Sequence, residues 1–298
     1  MALLICLILS ANAALGQALS IKKVETNYWI EASAPADNPH TLQASDKMHL
    51  WVDIHEDVQE PYSFAFDNAG VSERYFRLAP SAPPAPPIVV MLIGDSMSSD
   101  CCGWGGGIYR YFKPNATVVN YSQPSTSTKV FLQSAEMDKM LLVKPDYVLM
   151  QFAWSDGAVA ADPVRGTTPE EFTDNLRTLV QTVRGFNGVP ILITLHVARV
   201  WDDQGKLTTF EHPYNALTKQ VAAELNTPLI DLFKITTDLF NELGQNGVAF
   251  MHFDPLGPDD VMHLSPLGAV YVSRVLTHFL PDSFGPYLTG IFDPPPKP

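Results

Sequence analysis

The sequence has few basic residues for its length. Its 298 residues include 19 Lys and Arg against 32 Asp and Glu, which gives a formal net charge of −13. Nucleic acids and anionic membrane surfaces are bound through basic faces, so this balance argues against both kinds of partner. A polyanionic sugar stays open as a ligand if the binding cleft carries a base such as Arg199.

Cysteine is also scarce, with Cys6, Cys101 and Cys102 as its three occurrences. Cys101 and Cys102 are adjacent, and a disulfide between neighbours requires a strained backbone. The sequence leaves open whether they are bonded to each other or are two free thiols. No cluster of His, Cys and carboxylates has the spacing of a metal site, so we expect neither a metal nor another cofactor.

No hydrophobic run is long enough to cross a bilayer. The N-terminus reads MALLICLILSANAALGQALS, an apolar stretch followed by small residues. This pattern predicts a cleaved secretory signal in residues 1–18, and hence a secreted, extracellular protein that loses Cys6. The alternative is a buried N-terminal helix.

Two sequons are open to N-glycosylation if the protein is secreted by a glycosylating cell. Asn115 lies in a predicted loop and is the better acceptor for a glycoprotein. Asn120 ends a predicted buried strand, where we expect no glycan.

Two hydrophobicity patterns divide the chain. Short alternating runs predict a small β-rich N-terminal element over residues 19–80, and the SAPPAPP segment predicts a stiff linker over 81–87. Continuous apolar runs then suit the strands of a parallel sheet that is covered on both faces. These runs lie at 88–93, 117–120, 146–152, 190–196 and 228–232.

Helical patterns lie between the apolar runs. The clearest begins at Thr168-Pro169-Glu170-Glu171, a capping box with proline in the first turn. Others cover 213–225 and follow Ser265-Pro266. This alternation predicts a three-layer, doubly wound (flavodoxin-like) α/β domain over 88–284, followed by a tail over 285–298. Ligands of such folds bind beyond the carboxyl ends of the strands.

The first of these strands runs directly into Gly94-Asp95-Ser96. This is either an ordinary exit from a strand or the presentation of Ser96 as a nucleophile, with Asp95 holding the loop by hydrogen bonds. A serine hydroxyl is weakly nucleophilic at neutral pH and needs a base that is oriented by an acid. The G-x-S-x-G sequence of the usual nucleophile elbow is absent.

His263 is the candidate base. It lies in the loop sequence PDDVMHLSPLGA, and Asp260 precedes it by three residues, so the carboxylate can turn back onto Nδ1 and leave Nε2 for Ser96. Asp46 and His49 have the same spacing in a predicted surface strand, so spacing alone does not separate a catalytic pair from a structural one.

Five ordered segments add specificity. They are GDSM with the following GWG, VVNYSQPSTSTKVF, YVLMQFAWSDG, PILITLHVARVWDDQGKL with PLIDL, and DVMH with the following SPLGA. Together they resemble the GDSL, or SGNH, hydrolase superfamily, and most closely its rhamnogalacturonan acetylesterase-like carbohydrate esterases. The resemblance implies an SGNH hydrolase fold with Ser96 as nucleophile, His263 as general base and later acid, and Asp260 as the residue that orients it.

The resemblance also implies an oxyanion hole, and here the sequence departs from the family. The family uses the backbone N–H of the serine, a glycine N–H and an asparagine side chain. In this chain those positions are Ser96, Ser125 and Ser155. A serine hydroxyl is shorter than an asparagine amide, so we expect a slower or re-tuned enzyme, with a catalytically impaired carbohydrate-binding relative as the alternative.

Three residues are predicted to contact the sugar, namely Trp154, Trp201 and Arg199. An aromatic face suits the apolar face of a pyranose, although core packing also explains a tryptophan and is favoured for Trp104. Arg199 is expected either to meet a uronate carboxylate or to brace Asp156 or another loop carboxylate.

The family resemblance and the N-terminal pattern together imply a secreted serine esterase that deacetylates a plant cell-wall polysaccharide of pectin or rhamnogalacturonan type. The expected partner is the acetylated polysaccharide, and we expect a monomer. An esterase of small or lipid esters is a further alternative, although the absence of a long apolar lid argues against lipids.

Overall fold

The computed structural model describes residues 4–8, 18–24, 27–33, 40–45, 52–58, 62–66, 73–80, 84–158, 162 and 164–291. These residues form two compact units, and each unit is discontinuous in sequence. One unit contains the described residues up to 86 together with 110–115 and 277–291, and the other contains 87–109 and 116–276. The predicted domains were continuous stretches of chain. Parts of the predicted linker and tail, and the Asp46/His49 pair, lie outside the described residues.

Up to residue 80 the described part of the first unit is built from strands, as predicted for the β-rich N-terminal element. The strands are β1 (Leu4–Ile8), β2 (Ala18–Val24), β3 (Asn27–Ser33), β4 (His40–Ser45), β5 (Val52–Val58), β6 (Tyr62–Phe66) and β7 (Glu73–Pro80). They form a sheet of order β1-β7-β4-β5 and an antiparallel sheet of order β2-β3-β6.

Strand β1 coincides with the apolar stretch that predicts a secretory signal. In the full chain Leu4–Ile8 pairs in parallel with β7, so this stretch is a strand and not the buried helix that was the alternative. Removal of residues 1–18 would take β1 out of its sheet. Cleavage and secretion stay predictions.

The second unit is organised around a parallel sheet. Its strands are β8 (Ile88–Gly94), β9 (Ala116–Asn120), β10 (Tyr147–Gln151), β11 (Val189–Ile193) and β12 (Leu229–Ile230). Their order is β12-β11-β10-β8-β9, and every pairing is parallel. The central strands are almost completely buried, which is why they appear in the sequence as continuous apolar runs.

Strand β11 is shorter than predicted because side chains of two helices form hydrogen bonds with the backbone that follows it. The runs at 190–196 and 228–232 end as strands at Ile193 and Ile230. Beyond Ile193 the N–H of Leu195 donates to Asn215 Oδ1 at 2.8 Å, and the N–H of Val197 donates to Thr236 Oγ1 at 3.0 Å. The segment leaves the sheet at its carboxyl edge, where the site lies.

Helices flank this sheet and complete the predicted α/β fold. They are α1 (Gly105–Ile108), α2 (Thr128–Leu132), α3 (Ala135–Val143), α4 (Trp154–Ala158), α5 (Pro169–Gly185), α6 (Pro213–Glu224), α7 (Leu232–Gly247) and α8 (Pro266–Thr277). None of the described helices is long and apolar enough to cross a bilayer.

Helix α5 shows how local sequence positions these elements. Thr168 Oγ1 accepts from the N–H of Glu171 at 3.2 Å, and Glu171 Oε2 accepts from the N–H of Thr168 at 2.8 Å. This reciprocal pair is the predicted capping box. It starts a helix whose buried face packs into the core next to β10 and β11, and that face contains Phe172, Leu176, Leu179, Val180 and Val183.

Candidate active site

Ser96 lies at the carboxyl edge of the sheet, immediately after β8. Gly94 ends the strand, and a side chain there would collide with the carbonyl oxygen of Gln151 on β10. Asp95 is extended and caps a short 3₁₀ turn, Ser96–Ser98, by accepting from the N–H of Met97 at 2.9 Å. The strand therefore ends in a rigid turn that fixes the serine.

The structure brings Ser96, His263 and Asp260 together. The Nε2 atom of His263 lies 2.9 Å from Ser96 Oγ, and its Nδ1 atom lies 3.1 Å from Asp260 Oδ1. His263 and Asp260 are mostly buried, with side-chain exposures of 15% and 11%. A hydroxyl, an imidazole and a carboxylate are thus hydrogen-bonded in the order that activates a serine.

Asp260 is held in its ionised form, which can orient the imidazole of His263. Burial raises the pKa of this carboxyl, but hydrogen bonds from the N–H groups of His263 and Met262 and from the His263 ring outweigh it, so the pKa lies below its ordinary value. The carboxylate is therefore ionised at neutral pH and can accept a hydrogen bond from Nδ1–H.

The side chain of Arg199 supports the same loop by binding the loop's main-chain carbonyls. The residue is buried, with 9% exposure, and its guanidinium donates to loop carbonyls. The acceptors are His263 O at 2.7 Å, Met262 O at 3.2 Å and Asp260 O at 3.4 Å. Burial lowers the pKa of Arg199 to about 10, so the group still carries its charge at neutral pH.

Of the carboxylate contacts predicted for Arg199, the one with Asp156 is absent, and the one with a uronate of the substrate stays a prediction. Asp156 accepts its hydrogen bonds from Thr128 Oγ1 at 2.6 Å and from Thr167 Oγ1 at 2.9 Å. A buried guanidinium must satisfy its donors, and the nearest acceptors are main-chain carbonyls. Arg199 is therefore placed to position the His263 loop, and its predicted contact with Asp156 is absent.

Ser125 occupies a conformation that suits glycine, the residue that the family resemblance implies at this position. Its φ angle is +60°, in the left-handed region, where a side chain costs about 1–2 kcal/mol. Among the described residues none accepts a hydrogen bond from its N–H, and the residue is exposed. Ser125 thus adopts the backbone conformation that is needed to present its N–H as a donor.

Ser155 begins the first turn of α4 and is buried, with 4% exposure. Its backbone N–H donates to Asp95 Oδ2 at 3.1 Å, so only its hydroxyl is left to donate elsewhere. Asp95 is completely buried, and this burial raises its pKa to about 7 against the hydrogen bonds from Met97 and Ser155. One carboxyl group therefore connects the Ser96 turn to α4.

Three of the five tryptophans separate into one core residue and two partly exposed ones. Trp104 is completely buried, and its indole N–H donates to Gln151 Oε1 at 2.7 Å. Trp154 is half-buried, with its ring 5.9 Å from that of His212. Trp201 is half-buried in the loop after β11 and pairs with Leu207. Sugar contact by Trp154 and Trp201 stays a prediction.

His196 is a buried group that the sequence placed only at a strand end. Its Nδ1 atom lies 3.1 Å from Val197 O, and its Nε2 atom has no partner among the described residues. Burial lowers its pKa to about 4, with a further contribution from the charge of Arg199. It is therefore a neutral imidazole close to the triad.

Asn120 holds the loop that follows Ser96. Its side-chain amide donates to Ser98 O at 2.8 Å and to Asp100 Oδ1 at 2.7 Å. The absence of a glycan at this sequon stays a prediction. The Asn115 amide donates to Ala85 O at 3.2 Å. Within the described part of the chain, no three His, Cys, Asp or Glu side chains are arranged to hold a metal ion.

A serine, a histidine and an aspartate that are hydrogen-bonded in this order at the carboxyl edge of a parallel sheet are typical of serine hydrolases. Comparison with known proteins gives the particular family. Residues 92–270 match the GDSL-like Lipase/Acylhydrolase family, and the chain belongs to that family.

Two curated relatives and one solved structure are similar to the chain. Rhamnogalacturonan acetylesterase RhgT of Bacillus subtilis (strain 168) is 29% identical over 209 residues, covering 64% of this chain and 88% of that protein. The probable rhamnogalacturonan acetylesterase YesY of the same strain is 27% identical over 190 residues, covering 63% and 86%. The crystal structure of Bacillus subtilis protein YXIM_BACsu has a TM-score of 0.57 at 17% identity, covering 88% and 89%, which is a likeness of fold.

The buried His196 makes stability depend on pH. Because its folded pKa lies below its unfolded value of 6.5, acid protonates the unfolded chain first, so stability is lost as the pH falls from 6.5 towards 4. We expect the wild type to lose about 2 kcal/mol relative to His196→Gln between about pH 7 and about pH 5. Urea unfolding at both pH values measures this difference, and His252→Gln is the matched control. Parallel losses in the wild type and His196→Gln would contradict the assignment.

Proposed function

We propose that the chain is a serine acetylesterase that removes acetyl groups from a plant cell-wall polysaccharide of rhamnogalacturonan type. The observation that carries the proposal is the series from Ser96 Oγ through His263 to Asp260, at 2.9 Å and 3.1 Å. The substrate class comes from the relatives RhgT and YesY.

The chemistry follows from these positions. His263 Nε2 takes the Ser96 proton as Oγ attacks the acetyl carbonyl, while Asp260 stabilises the imidazolium that forms. The tetrahedral intermediate collapses, the sugar oxygen leaves with the proton from His263, and Ser96 stays acetylated. A water molecule that gives its proton to His263 then attacks the acetyl group. Acetate leaves, and Ser96 recovers its proton.

The negative oxygen of the intermediate needs donors that are already in place. The N–H groups of Ser96 and Ser125 have no acceptor among the described residues, so both are free to donate. The Ser155 hydroxyl is assigned as the third donor, because its N–H is held by Asp95.

Recognition of the polysaccharide is assigned to Trp154 and Trp201, whose partly exposed rings suit the apolar faces of pyranoses. The proposal includes secretion through residues 1–18, glycosylation at Asn115 alone and action as a monomer. Its net charge of −13 disfavours nucleic acid and anionic membranes as partners.

A carbohydrate-binding relative with impaired catalysis is the second candidate. The observation that favours it is the short hydroxyl at Ser155, because it departs from the asparagine donor that the family resemblance implies. Measurement of acetate release from different esters separates these two candidates from each other and from an esterase of small esters.

The test is acetate release from acetylated rhamnogalacturonan, acetylated xylan and an aryl acetate. We expect release to be highest from rhamnogalacturonan and to fall about a thousandfold or more in Ser96→Ala, which lacks the nucleophile. Ser283→Ala changes an exposed serine in the same way and should release acetate normally. Absence of release from all three substrates favours the binding relative, and release from the aryl acetate alone favours a small-ester esterase.

Ser155 allows the oxyanion assignment to be tested separately. Loss of one such donor costs about 2.7–4 kcal/mol, and a short hydroxyl should lie at or below the low end, so we expect Ser155→Ala to lower kcat about tenfold to a hundredfold. Ser155→Asn supplies a longer donor and should match or exceed the wild type. Both variants keep the N–H that Asp95 holds. An Ala variant with unchanged kcat would show that this hydroxyl takes no part.

A further inference from the structure

Cys101 and Cys102 lie in the turn that follows the Ser96–Ser98 turn, and both are free thiols. Their sulfurs approach the same hydroxyl, since Ser99 Oγ lies 3.1 Å from Cys101 Sγ and 3.6 Å from Cys102 Sγ. The sulfurs of neighbouring residues therefore converge, with Cys101 exposed and Cys102 buried at 6% exposure.

We propose that Cys101 and Cys102 form a dithiol site for thiophilic ligands that bind two sulfurs at once, with trivalent arsenicals as the chemical class, and that occupation of this site slows the reaction at Ser96. The effect on Ser96 rests on the proposed function. The binding itself does not.

A bridging ligand suits these thiols better than a direct disulfide. The Cα atoms of neighbouring residues are about 3.8 Å apart across a trans peptide, which is below the usual range of about 4.4–6.8 Å for a disulfide. A third atom between the sulfurs removes the need for an S–S bond. An organic arsenoxide supplies this atom: two As–S bonds form, the bond between arsenic and oxygen breaks, and the oxygen leaves as water with both thiol protons. Arsenic stays trivalent, so no oxidant is needed.

The two thiols differ in a way that orders the reaction. Burial, together with the neighbouring Cys101 thiol, raises the pKa of Cys102 to about 12, so Cys102 is protonated at neutral pH. Because the thiolate is the reactive form, the exposed Cys101 forms the first bond. The second bond is then intramolecular and is favoured by proximity. A reagent with a single reactive centre stops at Cys101.

The site is connected to both catalytic segments through short contacts. Ser99 Oγ donates to Ser96 O at 2.8 Å, and Cys102 Sγ lies 4.0 Å from that same oxygen. Cys102 O accepts from the N–H of Leu264, the residue after His263, at 2.8 Å. Movement of the Cys102 side chain towards Cys101 therefore disturbs the serine turn and the histidine loop together.

The experiment uses the full chain carrying Cys6→Ser, so that Cys101 and Cys102 are its only thiols. Phenylarsine oxide is the probe. Intact mass and thiol titration measure binding, and the rate at which a fluorophosphonate labels Ser96 measures the effect on the site. We expect one arsenic per chain, loss of both thiols and labelling slowed about tenfold or more, because small displacements of reacting atoms are costly. An excess of 2,3-dimercaptopropanol should restore the rate.

The matched control is Cys101→Ser on the same background, which keeps one thiol and should bind arsenic only weakly. Equal arsenic uptake by this variant, or two thiols still titratable after treatment, would overturn the site. Arsenic uptake with an unchanged labelling rate would overturn its link to Ser96. If Ser96 is unreactive before treatment, the proposed esterase fails, while the mass measurement still decides whether the dithiol site exists.

Discussion

The site depends on the hydrogen bonds that the buried carboxyl of Asp95 accepts. It accepts from the N–H of Met97 at 2.9 Å and from the N–H of Ser155 at 3.1 Å, so one group fixes both the Ser96 turn and the start of α4. Burial makes this arrangement costly, since it raises the pKa of Asp95 to about 7. The cost is offset only while both N–H groups point at the carboxyl. These two hydrogen bonds therefore fix the position of the proposed nucleophile, Ser96, relative to the proposed oxyanion donor, Ser155.

The other half of the site is fixed through the main chain. Arg199 donates to the carbonyls of Asp260 and His263, and its own N–H bonds to Val261 O at 2.9 Å. On the other side the N–H of Leu264 bonds to Cys102 O at 2.8 Å. The imidazole is therefore held by its loop as well as by its carboxylate, and the loop is tied to the turn that follows the nucleophile.

Sequence patterns predicted what depends on local chemistry. Buried parallel strands appear as apolar runs, and the short spacing of Asp260 and His263 let the carboxylate reach the ring, although the choice of this pair also needed the family resemblance. Tertiary contacts could not be predicted from these patterns. The acceptors of Arg199 are carbonyls that only the fold brings near, and the positive φ of Ser125 has no signal in a serine. The convergence of the two thiols likewise depends on the position of Ser99, since adjacency alone left their state open.

The central claim is that Ser96 is activated by His263, and covalent labelling of the intact protein tests it most directly. A fluorophosphonate reacts with an activated serine, and peptide mapping locates the adduct. The account predicts labelling at Ser96 that is lost in His263→Ala and kept in His252→Ala. An unlabelled wild type, or equal labelling of Ser96 in His263→Ala, would contradict it.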